Sequence, residues 1–177
     1  MSRRVVITGL GALTPLGLSV KESWEACVSG RSGVGPITLF DASNYLVKIA
    51  AEVKNFDPAN FMDAKEARRR DRFEQLATAA AKEALVDSGL TITEANAGRV
   101  GVIVSSGGGG MISLQEAFET ISTSGPRRVD PFTIPKFMVN GASGVIAIDT
   151  GAKGPTMCVA SACASGADGL GYAFKSI

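Results

Sequence analysis

A chain of 177 residues with 45% hydrophobic and 20% charged side chains has room for one domain with a sizeable core, and its composition argues against disorder. The 18 basic and 17 acidic groups nearly cancel, so no global field draws the chain to nucleic acid or to a membrane. Twenty-one glycines point instead to close backbone packing and tight turns.

In chain order, Val5-Val6-Ile7-Thr8 reads as a buried strand running into Gly9-Leu10-Gly11 and the turn Thr14-Pro15-Leu16-Gly17. A Gly-x-Gly after a strand invites a dinucleotide site. Thr14, however, stands where the third glycine belongs, and no acidic residue closes a second strand about twenty residues on. A structural turn is the plainer reading. Ser19 predicts the cap of a helix reaching Ser29, with Glu22 completing a capping box. Residues 30–62, broken by Gly30, Gly33, Gly35, Pro36 and Pro58, form an excursion with a possible strand over 48–53.

The clearest helix is residues 72–88: Phe73, Leu76, Ala77, Ala80, Ala81, Ala84 and Leu85 keep one face, Asp71 with Glu74 makes an acidic capping box, and Gly89 stops it. A second buried strand, 100–104, leads into Gly107–Gly110. That loop lacks the Gly-Lys-Ser/Thr ending of a phosphate-binding loop, and it reads as bare backbone lining a channel or packed against another chain. Helices are predicted over 112–122, ended by Gly125-Pro126, and over 135–148, where Gly141 and Gly144 would let another backbone approach. An apolar strand, 157–160, and a helix, 164–174, follow. Buried strands alternating with helices indicate a parallel, layered α/β sheet. The last residues stop in a helical pattern without a cap, so the chain is expected to end in mid-fold.

The chemistry-bearing segment is Ser161-Ala162-Cys163-Ala164-Ser165-Gly166. It sets Cys163 among small residues at a helix N-terminus, where unpaired amides and the helix dipole favour a thiolate and can stabilise an oxyanion. The alternative is an inert core thiol. Cys27, Cys158 and Cys163 are odd in number and form no C-x-x-C pair, which fits a reducing compartment and leaves Cys27 and Cys158 as core packing. No segment reaches the ~20 apolar residues that span a bilayer, and the expected location is the cytoplasm. The chain has no histidine, so a histidine-ligated metal is excluded and the usual base for a thiol nucleophile must come from elsewhere. Lys65, Arg68, Arg69, Arg70 and Arg72 form a basic cluster, either a solvated face or a docking surface for an acidic partner.

The segments RRVVITGLGALTPLG, RRRDRFEQLATAAAKEAL, GPRRVDPFTIP and above all GPTMCVASACASG together resemble the N-terminal part of the β-ketoacyl-acyl carrier protein synthases of types I and II, most of all type II. The likeness covers residues 1–177. It implies an α/β, thiolase-like layered αβαβα fold built from two similar halves, of which this chain supplies only the N-terminal half. It further implies that Cys163 takes an acyl chain as a thioester from acyl carrier protein. Malonyl-acyl carrier protein then loses CO₂ and attacks that thioester, lengthening the chain by two carbons as a 3-oxoacyl product.

No metal and no cofactor belong to this expectation; acyl carrier protein and a homodimer do, without nucleic acid or membrane. The family's two histidines, their supporting lysine and a second oxyanion amide lie in the C-terminal half, so this chain alone is expected to be inactive in condensation and to present apolar sheet and helix surface. By resemblance, Gly108 and Met111 border the acyl pocket, and Phe132 and Thr133 reach toward the partner subunit's pocket. Gly108 replaces a bulkier aliphatic residue and Thr133 a phenylalanine. Lys65, Arg68 and Arg69 match positions that dock the carrier protein. A non-catalytic scaffold or dimerisation fragment is the alternative that the missing histidines leave open.

Overall fold

The computed structural model describes residues 4–177. The chain forms α1 (Val20–Val28), β1 (Gly35–Pro36), β2 (Ile49–Ala50), α2 (Ala64–Arg68), α3 (Arg72–Ser88), β3 (Val102–Ile103), α4 (Met111–Ser124), α5 (Thr133–Phe137), α6 (Gly141–Thr150), β4 (Thr156–Met157) and α7 (Ser165–Ser176).

Helix α3 follows its local signals. The Asp71 carboxylate accepts from the Phe73 amide, the Glu74 carboxylate accepts from the Asp71 amide, and Gly89 closes the helix at φ 66°. The centre of the molecule is a parallel pair, β3 and β4, with Val102 opposite Thr156 and Ile103 opposite Met157. Side chains alternate across a strand. Accordingly Val102 packs with Ile146 and Ala152, and with Ala77, Ala81 and Val104, on the α3/α6 face. Ile103 and Ser105 meet Gly169 of α7 on the other face, where an added Cβ would lie 2.4 Å from Ser105 Oγ. The result is a helix–sheet–helix sandwich. A Ser143 hydroxyl from α6 pins the sheet: it donates to the Val104 and Met157 carbonyls and accepts from the Val104 amide at 3.1 Å.

Several expectations are corrected. Residues 5–8 pair with no strand among the described residues, and Val6 and Ile7 are exposed. Acidic side chains of α3 capture the neighbouring amides instead, Asp87 taking Leu10 at 2.8 Å and Glu83 taking Ala12 at 2.8 Å and Val20 at 2.9 Å. A cavity of about 300 Å³ separates Thr8 and Gly9 from β3. Gly9 and Gly11 lie flat on α3, where added Cβ atoms would stand 2.5 Å from the Ala84 carbonyl and 1.9 Å from that of Ala80, so close helix packing requires them. Ser19 caps α1 through the Glu22 amide, yet the Glu22 carboxylate reaches one residue further back, to the Leu18 amide at 2.8 Å.

The helix expected over 135–148 is two helices, α5 and α6. Met138 leaves the helical region at ψ 130°, which frees the Phe137 carbonyl to accept from the Gly110 amide at 3.2 Å. Gly141 faces the Glu74 carboxylate and the Pro135 carbonyl, whereas nothing lies within 4 Å of a Cβ at Gly144. Cys27, expected in the core, is exposed, and Cys158 is half-buried. The strand expected over 48–53 survives as β2, paired antiparallel to β1. Leu170, Tyr172 and Phe174 of α7 stand exposed, as do Met111, Phe118 and Ile121 of α4. No helix of the described residues is long and apolar enough to cross a membrane.

Candidate active site

Cys163 sits in the 3₁₀ turn Ala162–Ala164 that feeds α7, one turn before the helix proper, and it is exposed. The inert-core alternative therefore does not hold. Ala162 takes φ 51°, a left-handed conformation that costs a non-glycine residue about 1–3 kcal/mol and persists only where its surroundings impose it. The surroundings here are specific. The Ser161 amide donates to Ser165 Oγ at 2.9 Å, Ser165 Oγ donates to the Ala162 carbonyl at 2.7 Å, and the Ser161 hydroxyl donates to Asp168 at 2.5 Å. The Ser165 amide also donates to the Ala162 carbonyl. The Cys163 amide has no acceptor among the described residues.

The glycine loop abuts this turn. A Cβ on Gly107 would fall 2.8 Å from the Ala162 carbonyl oxygen and 3.0 Å from its Cα, contacts that only bare backbone permits. At the loop's far end a Cβ on Gly109 would stand 2.3 Å from the Phe137 carbonyl, so residues 107–110 are wedged between the Cys163 turn and the end of α5. Gly107→Ala is expected to displace the turn, cost about 1–3 kcal/mol by overpacking and slow reactions at Cys163. A thermal melt read beside the rate of Cys163 acylation checks this, and a variant matching wild type in both refutes it.

Gly108 lies within this wedge and Met111 follows it, both exposed, with Met111 opening α4. Phe132 and Thr133 begin α5 at its other end. The Thr133 hydroxyl is already committed to the Asp130 carbonyl at 2.7 Å, and Phe132 lies under the Arg69 guanidinium, 4.9 Å from the ring centroid. The basic cluster divides. Lys65 and Arg68 are exposed on α2, and Arg69 is half-exposed, near Glu66 at 3.4 Å. Arg70 is buried and paired with Asp149, while Arg72 donates to the Val53 carbonyl at 2.6 Å. Among the described residues no three His, Cys, Asp or Glu side chains converge to ligate a metal.

Three residues of this arrangement carried no signal in the sequence. Ser161, Ser165 and Asp168 read only as small or polar neighbours of the cysteine, because their partners depend on how the turn folds.

Helices packed on both faces of a parallel pair give the thiolase-like fold. Residues 2–177 match the family described as Beta-ketoacyl synthase, N-terminal domain, and the chain belongs to that family. It is 48% identical over 175 residues to a 3-oxoacyl-[acyl-carrier-protein] synthase 2 of Coxiella burnetii, covering 99% of this chain and 42% of that protein. A crystal structure of a beta-ketoacyl synthase from Burkholderia phymatum superposes with a TM-score of 0.82 at 30% identity, covering 99% of this chain and 44% of that one. A type II ketosynthase solved in complex with its acyl-carrier protein shares the fold at TM-score 0.76 and 19% identity, covering 99% of this chain and 47% of that one. The chain thus spans about two fifths of the length of the curated relatives it matches, 42%.

Proposed function

We propose that this chain carries the acyl-accepting cysteine of a 3-oxoacyl-[acyl carrier protein] synthase of fatty acid elongation. The observation that carries the reading is an exposed thiol at Cys163 beside an amide without an acceptor, on a turn held in a left-handed conformation. The Cys163 thiolate attacks the carbonyl carbon of an acyl thioester on acyl carrier protein. The tetrahedral oxygen takes the Cys163 amide, and collapse expels the carrier's thiolate, leaving an acyl-cysteine. Malonyl-acyl carrier protein then loses CO₂; its α-carbon attacks the acyl-cysteine carbonyl and the cysteine thiolate leaves. With no histidine among its 177 residues, the chain supplies the first step, and the groups assisting decarboxylation belong to the C-terminal region of the relatives.

Gly108 and Met111, with Phe132 and Thr133, border the acyl chain in this reading. Lys65, Arg68 and Arg69 meet the acidic carrier protein, a contact to which Lys65 and Arg68 bring exposed charge. A cytoplasmic homodimer is the corresponding assembly.

Incubation with acyl-acyl carrier protein, followed by intact-mass measurement and peptide mapping, tests the reading. The expected result is an acyl adduct on Cys163 that vanishes in Cys163→Ala. No adduct, even with the C-terminal region of the family supplied in trans, would leave a non-catalytic scaffold.

A further inference from the structure

We infer that Ser165 is a positioning residue for Cys163: its hydroxyl, bridging the Ser161 amide and the Ala162 carbonyl, holds the strained peptide that aims the Cys163 amide outward. This rests on the acyl-accepting role proposed for Cys163. The residue is buried, 4% exposed, although it begins a helix whose next three residues are exposed. Its oxygen has one proton and both ends are used: it accepts from Ser161 N at 2.9 Å and donates to Ala162 O at 2.7 Å.

The consequence follows from amide geometry. The carbonyl of Ala162 and the N–H of Cys163 belong to one planar trans peptide, so they point in opposite directions. Two donors from Ser165, its amide and its hydroxyl, draw that carbonyl toward the helix. The Cys163 N–H must then point away from the helix, where no acceptor among the described residues meets it. Ala162 carries the cost at φ 51°. Without the hydroxyl, the Ser161 amide loses its acceptor and the Ala162 carbonyl one of two donors, and the residue is free to relax toward negative φ, rotating the peptide. The Ser161–Asp168 hydrogen bond closes the same turn from its outer side.

A purely structural serine and a positioning serine predict different results. Attack on a thioester needs the thiol and the oxyanion donor in register, where a small misplacement costs about 100-fold; alkylation by iodoacetamide needs only access to the thiol. In the protein with the family's C-terminal region supplied in trans, Ser165→Ala is expected to slow acyl transfer from acyl-acyl carrier protein by about 10- to 100-fold. Alkylation of Cys163, read against exposed Cys27 as an internal standard, should stay within about twofold.

Adding Ala162→Gly to Ser165→Ala should restore most of the transfer, because glycine reaches positive φ without strain. Should Ser165→Ala fail to fold, Ser165→Thr, which keeps the hydroxyl, must transfer near the wild-type rate. Wild-type transfer by Ser165→Ala, no recovery in the double variant, or a folded threonine variant as slow as alanine overturns the inference. A wild-type Cys163 that alkylates but takes no acyl group removes the acyl-acceptor reading itself, and this inference with it.

Discussion

Asp149→Ala is expected to lower the unfolding free energy by about 3 kcal/mol, because it breaks a largely buried ion pair and leaves its arginine behind. The Arg70 side chain is 4% exposed and that of Asp149 23%. Two parallel bonds join them, Nη1 to Oδ2 at 2.8 Å and Nη2 to Oδ1 at 2.7 Å, and Nη1 also donates to Thr78 at 3.2 Å. The pair fastens the α2–α3 junction to the end of α6 across 79 residues of sequence. The hydrogen bonds that Arg70 donates to Asp149, with the carboxylates of Glu66 and Glu74 near, hold the guanidinium firmly charged.

Removing Asp149 leaves that charge buried, with Glu66 at 3.5 Å, the nearby Glu74 carboxylate and Thr78 as what remains around it. Nε already lacks an acceptor among the described residues. Arg70→Met is expected to cost less than Asp149→Ala, because it removes the buried charge and nearly keeps the volume, and the Asp149 carboxylate it leaves unpaired is partly exposed to water, 23% against 4% for Arg70. Chemical denaturation of both variants orders them. Equal midpoints for wild type and Asp149→Ala would mean that the pair contributes nothing.

Arg70 also marks the limit of what the sequence revealed. Inside RRRDR it is one of several identical letters, and only the fold turns it inward, since its partner lies in another helix. Helix α3, by contrast, is written locally in its bounds: the acidic cap and the glycine stop lie at its two flanking residues and the structure matches them, whereas the residues it buries most deeply, Glu74, Thr78 and Ala79, lie outside the apolar face that the spacing marks, whose members are half-buried. The turn at Cys163 was half legible. The spacing placed the thiol ahead of a helix but left open whether it was buried, while the strain at Ala162 and the Ser165 bridge arise from a conformation that no spacing encodes. The opening strand failed for a related reason. A continuous apolar run suggests a buried extended segment but does not name its hydrogen-bond partners, and Asp87 and Glu83, more than seventy residues away, take the adjoining amides. The split of the helix at Met138 likewise answers a distant need, the Gly110 amide.

Glu74 shows the same boundary and sets the second large effect, on pH. The sequence assigned it to a capping box, and one oxygen does accept from the Asp71 amide at 3.0 Å. The residue is nevertheless 1% exposed, and its other oxygen, facing Gly141, has no partner among the described residues. Burial, aided by the Asp71 charge and opposed by the Asp71 amide hydrogen bond and by Arg70 and Lys136, lifts its pKa from 4.5 to about 7. A folded-state pKa above the unfolded one means that the native chain holds the proton longer. The associated stability is therefore complete below pH 4.5 and is lost as pH rises through about 7.

The full span corresponds to about 3 kcal/mol. Glu74→Gln keeps an oxygen for the Asp71 amide and removes the titration. Its stability should match that of wild type near pH 4 and exceed it by up to about 3 kcal/mol at pH 8. Denaturation curves for the two proteins across that range measure the difference directly, because every other titrating group is common to both. If the two pH profiles run parallel, Glu74 takes up its proton at the same pH in the folded and unfolded chain, and burial does not raise its pKa.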